Sequence, residues 1–304
     1  MLETLTGFAV VGTAIIVGYI IGRVDLLGPH ARHVLSRLTF YVLSPFLLFT
    51  VLSQADITTL FSALLPVSTV AAAVIIGLQW LLSRFMWRRT VADATISALS
   101  AGQVNSNNIG IPLSLYLLGS AAYPAPVILM QLLLLTPIAL AILDAATTGT
   151  RSFWRVLGRT ARNPIVIGSA LGTLVSVSGI ALPSIVLEPA LLIANACVPI
   201  LLISYGISLH GQRVLADAGR RGEVLIASAL KLLAMPAAAW ALATLFGLSA
   251  HEVLVVTVLA ALPTAQNVFN YAQRYAVGEA VARDTIFLTT LGSVPVLLGI
   301  VLLL

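Results

Sequence analysis

Charge is what this sequence has least of. Of its 304 residues, 16 are Lys or Arg and 11 are Asp or Glu, 9% of the chain, against roughly 25% in a soluble globular domain. So small a share can neither solvate a surface nor follow a phosphate backbone. It excludes an ordinary soluble enzyme, a disordered chain and a nucleic-acid-binding protein. Cysteine is nearly absent as well: Cys197 alone excludes an internal disulfide framework and a four-ligand zinc site, and it reads as a small buried hydrophobe. His30, His33, His210 and His251 lie in connections or at span ends without an acidic cluster at metal spacing. There is no phosphate-binding glycine loop, nucleophile elbow or zinc-protease helix. No catalytic residue, metal ligand or cofactor is assigned, and the lack of an ATP motif leaves secondary transport or a channel instead of a pump.

What is present is apolar, 59% of the chain, and it comes in long runs. Ten segments read as spans: 4–22, 34–52, 61–84, 91–119, 124–143, 162–179, 188–209, 222–247, 251–275 and 284–304. Most are close to the roughly 20 residues that cross a hydrocarbon core; the fourth and ninth are polar and interrupted. The first has Glu3 at its edge and neither a basic leader nor a small-residue cleavage site, so it reads as a retained span. The predicted fold class is therefore an all-α polytopic membrane protein with ten transmembrane helices.

The few charges are sorted by side. Fifteen of the 16 basic residues, all the arginines from Arg23 to Arg283, fall in or beside the connections after spans 1, 3, 5, 7 and 9. The other face shows Glu3, Asp56, Glu188, His251 and Glu252 with no Lys or Arg. By the positive-inside rule the arginine-bearing connections are cytoplasmic and both termini extracytoplasmic. The net charge of +5 is thus an orientation signal, with anionic lipid headgroups as the partner it can meet.

The connection 144–161 divides the chain into halves of five spans, 1–143 and 162–304. An odd number per half starts the second half on the opposite side, so related halves must be inverted repeats. Pro45 in span 2 matches Pro199 in span 7, 154 residues on. The polar break QVNSNNIGIP of span 4 matches LPTAQNVFNYAQ of span 9, and Thr136-Pro137 in span 5 matches Ser293 and Pro295 in span 10.

The two polar breaks carry the candidate site. In span 4, Asn105, Asn107 and Asn108 sit beside Gly110 and Pro112. Amides facing lipid would lack partners, Pro112 removes an N–H and clashes with the carbonyl of Asn108, and the helix is expected to open near 106–110. In span 9, Pro263 and Thr264 break the helix, and Gln266, Asn267 and Asn270 then form a polar stripe, Asn270 lying four residues beyond Gln266 and three beyond Asn267. Crossing broken helices 4 and 9 would place opposed helix ends, with their partial charges, near the midplane. Supporting or coupling candidates are Lys231, the one basic residue well inside a span, Asp284 beside Arg283 at the head of span 10, and Gln131, Thr136 and Ser293 as cavity walls.

NSNNIGIPLSLYLLGSAA (105–122) and LAALPTAQNVFNYAQRYAVG (259–278), together with ALKLLAMPA (229–237), resemble the signatures of the auxin efflux carrier family, which includes the plant PIN auxin exporters. The resemblance covers essentially the whole chain. It implies the fold of sodium–bile acid symporters and sodium–proton antiporters. In that fold spans 4–52 and 162–209 form a scaffold that also dimerises, and spans 61–143 and 222–304 form a transport domain that moves as an elevator. It further implies an organic-anion substrate, malate-like or auxin-like, and a homodimer in the cell membrane, the inner membrane of a bacterium. Coupling to H+ or Na+ stays open, as do a sodium-coupled bile-acid-type symporter and a non-transporting sensor or channel. The chain lacks the long cytoplasmic loop of the plant carriers and a proline immediately at its first break, which points away from auxin.

The topology is directly testable. An alkaline phosphatase fused after Leu304 should be active and a green fluorescent protein there dark, while fusions within 148–157 should show the reverse; the opposite pattern would invert the assignment.

Overall fold

The computed structural model describes residues 2–28, 30–54, 64–147, 162–210 and 215–304. Asp56, the greater part of the 144–161 connection and Arg213 lie outside them, as do the side chains of Glu3 and Arg32. The described chain is helical, with one isolated β-bridge. In chain order the helices are α1 (Leu2–Arg23), α2 (His33–Gln54), α3 (Leu64–Met86), α4 (Val91–Gly102), α5 (Ile111–Leu118) and α6 (Ala125–Thr147). There follow α7 (Pro164–Ser178), α8 (Ser184–Ile207), α9 (Ala218–Leu245), α10 (Ala250–Ala260), α11 (Asn267–Tyr275) and α12 (Glu279–Leu303). Six of them, α2, α3, α6, α8, α9 and α12, are long and apolar enough to cross a bilayer. The protein is polytopic, and its exposed residues are rich in Leu, Ile and Val, as a lipid-facing surface requires.

Three of the long helices widen by one residue before a proline. Ser44 N–H bonds to Thr39 O ahead of Pro45, Thr136 N–H to Gln131 O ahead of Pro137, and Met235 N–H to Leu230 O ahead of Pro236. A proline clashes with the carbonyl four residues back. An i→i−5 turn moves that carbonyl aside and keeps the helix continuous, so each span absorbs its proline as a π-bulge.

The chain forms two compact units. The first contains Met1–Ser62, Asn107–Leu129 and Gly158–Gln212. In it α1 packs against the second half of α8, and α7 against the second half of α2. Both contacts rest on glycines four apart. A Cβ at Gly172 would lie 2.6 Å from Phe49 O and one at Gly168 2.5 Å from Pro45 O, while Gly22 abuts Ile207 and Gly18 abuts Ile203. Without water to drive helices together, such close backbone approach supplies the contact energy. Gly18 and Gly22 each precede Gly168 and Gly172 by 150 residues.

The second unit contains Ala63–Ser106, Met130–Leu157 and Arg213–Leu304. Its core joins Ala92, Ile96 and Leu99 of α4 to Ala139 and Leu143 of α6 and to Val268 and Ala272 of α11. Gly278, at φ +61, lets the α11–α12 turn press on Ile96, where a Cβ would come within 2.9 Å. At one end, fully buried Glu223 accepts from Arg89 Nε at 3.0 Å and Arg220 Nη1 at 3.1 Å, and Arg220 Nη2 reaches Asp93 at 2.8 Å. Ser83 Oγ lies 3.0 Å from Glu223 and 2.9 Å from Ser97 Oγ. This network ties α3, α4 and α9 together.

Gly172→Leu should lower thermal stability in detergent by about 1–3 kcal/mol, the usual cost of overpacking. Gly77→Ala, where a Cβ meets nothing within 4 Å, should be neutral or slightly stabilising. Equal unfolding temperatures for the two variants would contradict the close-packed contact.

Candidate functional site

Within the second unit the two interrupted spans meet backbone to backbone. α4 starts on Thr90, whose hydroxyl accepts from Asp93 N–H, and ends at Gly102. Gln103 then turns extended, at φ −87 and ψ 116. α10 starts on a capping box between Ser249 and Glu252 and ends at Ala260, because Pro263 cannot continue the ladder. The extended pieces pair as an antiparallel bridge at Val104 and Thr264. Asn105 N–H donates to Pro263 O at 2.8 Å and Ala265 N–H to Gln103 O at 2.9 Å. Each break thus supplies the partners that the other lost.

Side chains finish that pairing. Thr264 Oγ1 donates to Ser100 O at 2.6 Å, and Thr264 N–H donates to Thr289 Oγ1 on α12 at 3.1 Å. Lys231 is fully buried in the wide turn of α9, and its Nζ donates to Ala260 O at 2.6 Å. Ala260 is the last residue of α10, so the amine sits at a helix C-terminus, the end that favours a cation. Its other neighbour is Met235 Sδ at 3.4 Å.

The first opening lies upstream of where Pro112 suggested. The extended residues are Gln103 to Asn105, whereas Ser106–Gly110 coil as a wide helical turn into α5, with Pro112 in that helix's first turn. A first-turn proline forfeits an N–H that would have had no partner, so Pro112 begins the second half-helix and does not break the span. The second opening is where Pro263 and Thr264 placed it.

The predicted residues divide between the units. Asn105 belongs with Pro263, Thr264, Gln266, Asn267, Asn270, Gln131, Thr136, Lys231, Asp284 and Ser293 in the second. Asn107, Asn108, Gly110 and Pro112 belong to the first. There Asn107 Nδ2 donates to Ser44 Oγ at 3.2 Å and to Asn108 Oδ1 at 3.0 Å, and Ser44 lies 3.8 Å from buried Cys197 Sγ.

In the second unit Asn105 and Ser106 are buried, and Gln131 Nε2 donates to Ser106 Oγ at 3.0 Å. The Oε1 atoms of Gln103 and Gln131 are buried without a hydrogen-bond partner. Thr136 Oγ1 is 3.3 Å from Tyr271 OH, and Ser293 bonds to Thr290 O of its own helix. Asn267 and Asn270 lie on an exposed polar face of α11 whose first residue is Asn267. An exposed polar face in a membrane protein needs water or a polar ligand, since lipid offers no partner.

Asp284 is remote in role: Oδ1 accepts from Arg283 and Oδ2 from Leu215 N–H at 2.9 Å, so it clamps a connection. Sequence reasoning passed over Glu223, because a carboxylate two residues from Arg221 looks like a loop charge. It also passed over Tyr271, whose hydroxyl lies 3.3 Å from Thr136 Oγ1, a single aromatic in a mixed run.

A family model described as "Membrane transport protein" matches residues 5–301. A curated protein of Rhizobium meliloti (strain 1021), named "Putative malonate transporter", is 27% identical over 311 residues, spanning 95% of this chain and 92% of its own.

Thr264→Val keeps the shape and deletes the bond to Ser100 O. Losing one buried hydrogen bond at the crossing should cost about 1–3 kcal/mol of stability, read as a lowered thermal unfolding midpoint; an unchanged midpoint would show the hydroxyl to be dispensable.

Proposed function

The chain belongs to the membrane transport protein family, the auxin efflux carriers, and from that membership we propose that it is a secondary carrier of a small organic anion, a short dicarboxylate such as malonate or malate. It is a transport protein and not an enzyme. The observation that carries the substrate class is the crossing of two broken spans through uncharged polar groups. The positive end of α11 and the amides of Asn105, Asn267 and Asn270 offer donors suited to carboxylate oxygens; Asn107 and Asn108, which the first unit contains, remain candidates from span 4. Pro263, Thr264 and Gln266 shape the second break, Gly110 and Pro112 lead from the first into α5, and Gln131 and Thr136 complete the wall. The name of the malonate relative agrees with this chemistry.

The proposal extends to ten spans in two inverted repeats. The glycine pairs on α1 and α7, 150 residues apart, and the matched breaks of spans 4 and 9 support it. The scaffold is assigned to spans 4–52 and 162–209, and the transport domain to spans 61–143 and 222–304, moving as an elevator. Most of that transport domain coincides with the second compact unit, while 107–129 groups with the first. The carrier works as a homodimer through its scaffold spans in the cell membrane, termini outside. Lys231 already serves the carbonyl end of α10, which favours a carrier without a sodium ion there over the bile-acid-type reading.

Purified protein in liposomes should show saturable counterflow of labelled malonate, and sodium and pH gradients imposed separately would reveal any coupling. Asn107→Ala and Asn267→Ala should each weaken half-saturation about tenfold, the equivalent of roughly one charge-assisted hydrogen bond. Unsaturable current would indicate a channel, and wild-type behaviour of both variants would remove the crossover site.

A further inference from the structure

Most cations of the second unit are committed. Arg89 and Arg220 hold Glu223, Arg283 holds Asp284, Arg84 donates to Arg89 O, and Arg221 donates to Leu215 O. Arg274 differs. It forms no ion pair among the described residues, yet it is placed: its guanidinium lies over the Tyr275 ring, 5.3 Å from the centroid. Tyr275 is itself fixed, its hydroxyl donating to Asp144 Oδ1 on α6 at 2.7 Å.

Position on the helix gives this cation its meaning. Asn267, Asn270 and Arg274 fall at i, i+3 and i+7 on α11, one face of the helix, and all three are exposed. Seven residues of rise put Arg274 roughly 10 Å along the axis from the half-helix N-terminus. That is too far to grip the same carboxylate as Asn267. It is near enough for its field to act along a polar face at low salt, where the Debye length, about 30 Å at 0.01 M, exceeds this separation. An arginine kept only for topology would need neither a fixed platform nor a place on the amide face.

Resting on the carboxylate-carrier reading above, we propose that Arg274 is a specificity-determining residue: a positioned guanidinium, without an ion pair among the described residues, that favours dianions over monoanions through its field, without touching the substrate. Coulomb attraction at this separation in a water-filled, protein-walled space amounts to about threefold in affinity per unit of substrate charge at low salt. The effect multiplies with charge, so the dianion gains about tenfold where the monoanion gains about threefold.

The test uses the full-length purified protein and equilibrium competition binding with two probes of nearly equal size, malonate and its monomethyl ester. Arg274→Gln should weaken malonate about tenfold and the monoester about threefold, with both losses shrinking as salt is raised. Arg274→Lys, which keeps the charge, should retain most of the preference. Tyr275→Leu, which removes the platform and leaves the charge, should give an intermediate loss. In liposomes the Arg274→Gln defect should fall on KM and leave the maximal rate nearly unchanged. Equal losses for the two probes, no loss for either, or a defect confined to maximal rate would overturn the proposal while the carrier reading stands. A wild-type protein that binds neither probe would instead overturn the carrier reading, and this inference with it.

Discussion

Hydrocarbon offers no hydrogen bonds, and that constraint organises the molecule. A helix interrupted in water exposes its loose carbonyls and amides to solvent at little cost; interrupted in a bilayer, it must find protein partners for them. Here each interruption answers the other. Asn105 and Ala265 donate across the bridge, Thr264 reaches back to Ser100, and Lys231 meets the last carbonyl of α10. The proposed site draws on what remains once those groups are partnered: amide groups and one exposed half-helix face.

Charge is handled with the same economy. Glu223 is fully buried but meets two arginines and a serine, an arrangement that fixes neighbouring helix ends while leaving that carboxylate neither unpaired nor short of donors. The first unit relies on no such network among its described residues. Its α1–α8 and α7–α2 contacts use glycines to bring backbones together. One unit is thus held by bare backbone proximity and the other by polar cross-links plus a core of alanine and branched aliphatic side chains, two solutions to packing without a hydrophobic driving force.

How much of this the sequence disclosed depended on whether a residue acts locally. Pro263 breaks α10 by its own covalent structure, so the second interruption could be located from the letters alone. Pro112 was ambiguous: a proline both ends and begins helices, and only the course of residues 103–105 shows that it begins one. The membrane character and the polar crossing segments were visible because composition alone carries them. Glu223 was hidden, since its burial depends on Arg89, more than a hundred residues away. The glycines of α1 and α7 were hidden too, because small residues are common in spans and only a facing backbone makes one indispensable.

The wide turns ahead of Pro45, Pro137 and Pro236 have a consequence for how these spans tolerate changes of length. Each holds one residue more between donor and acceptor than an α-helical turn. Deleting a residue elsewhere in a span would rotate everything beyond it by about 100°, swinging core-facing side chains toward lipid. Deleting one within 39–43, 131–135 or 230–234, with the following proline replaced, lets the turn close to ordinary α geometry while the flanking halves keep their rotational phase. The bulges are therefore the places where these helices can lose a residue and stay in register with their neighbours.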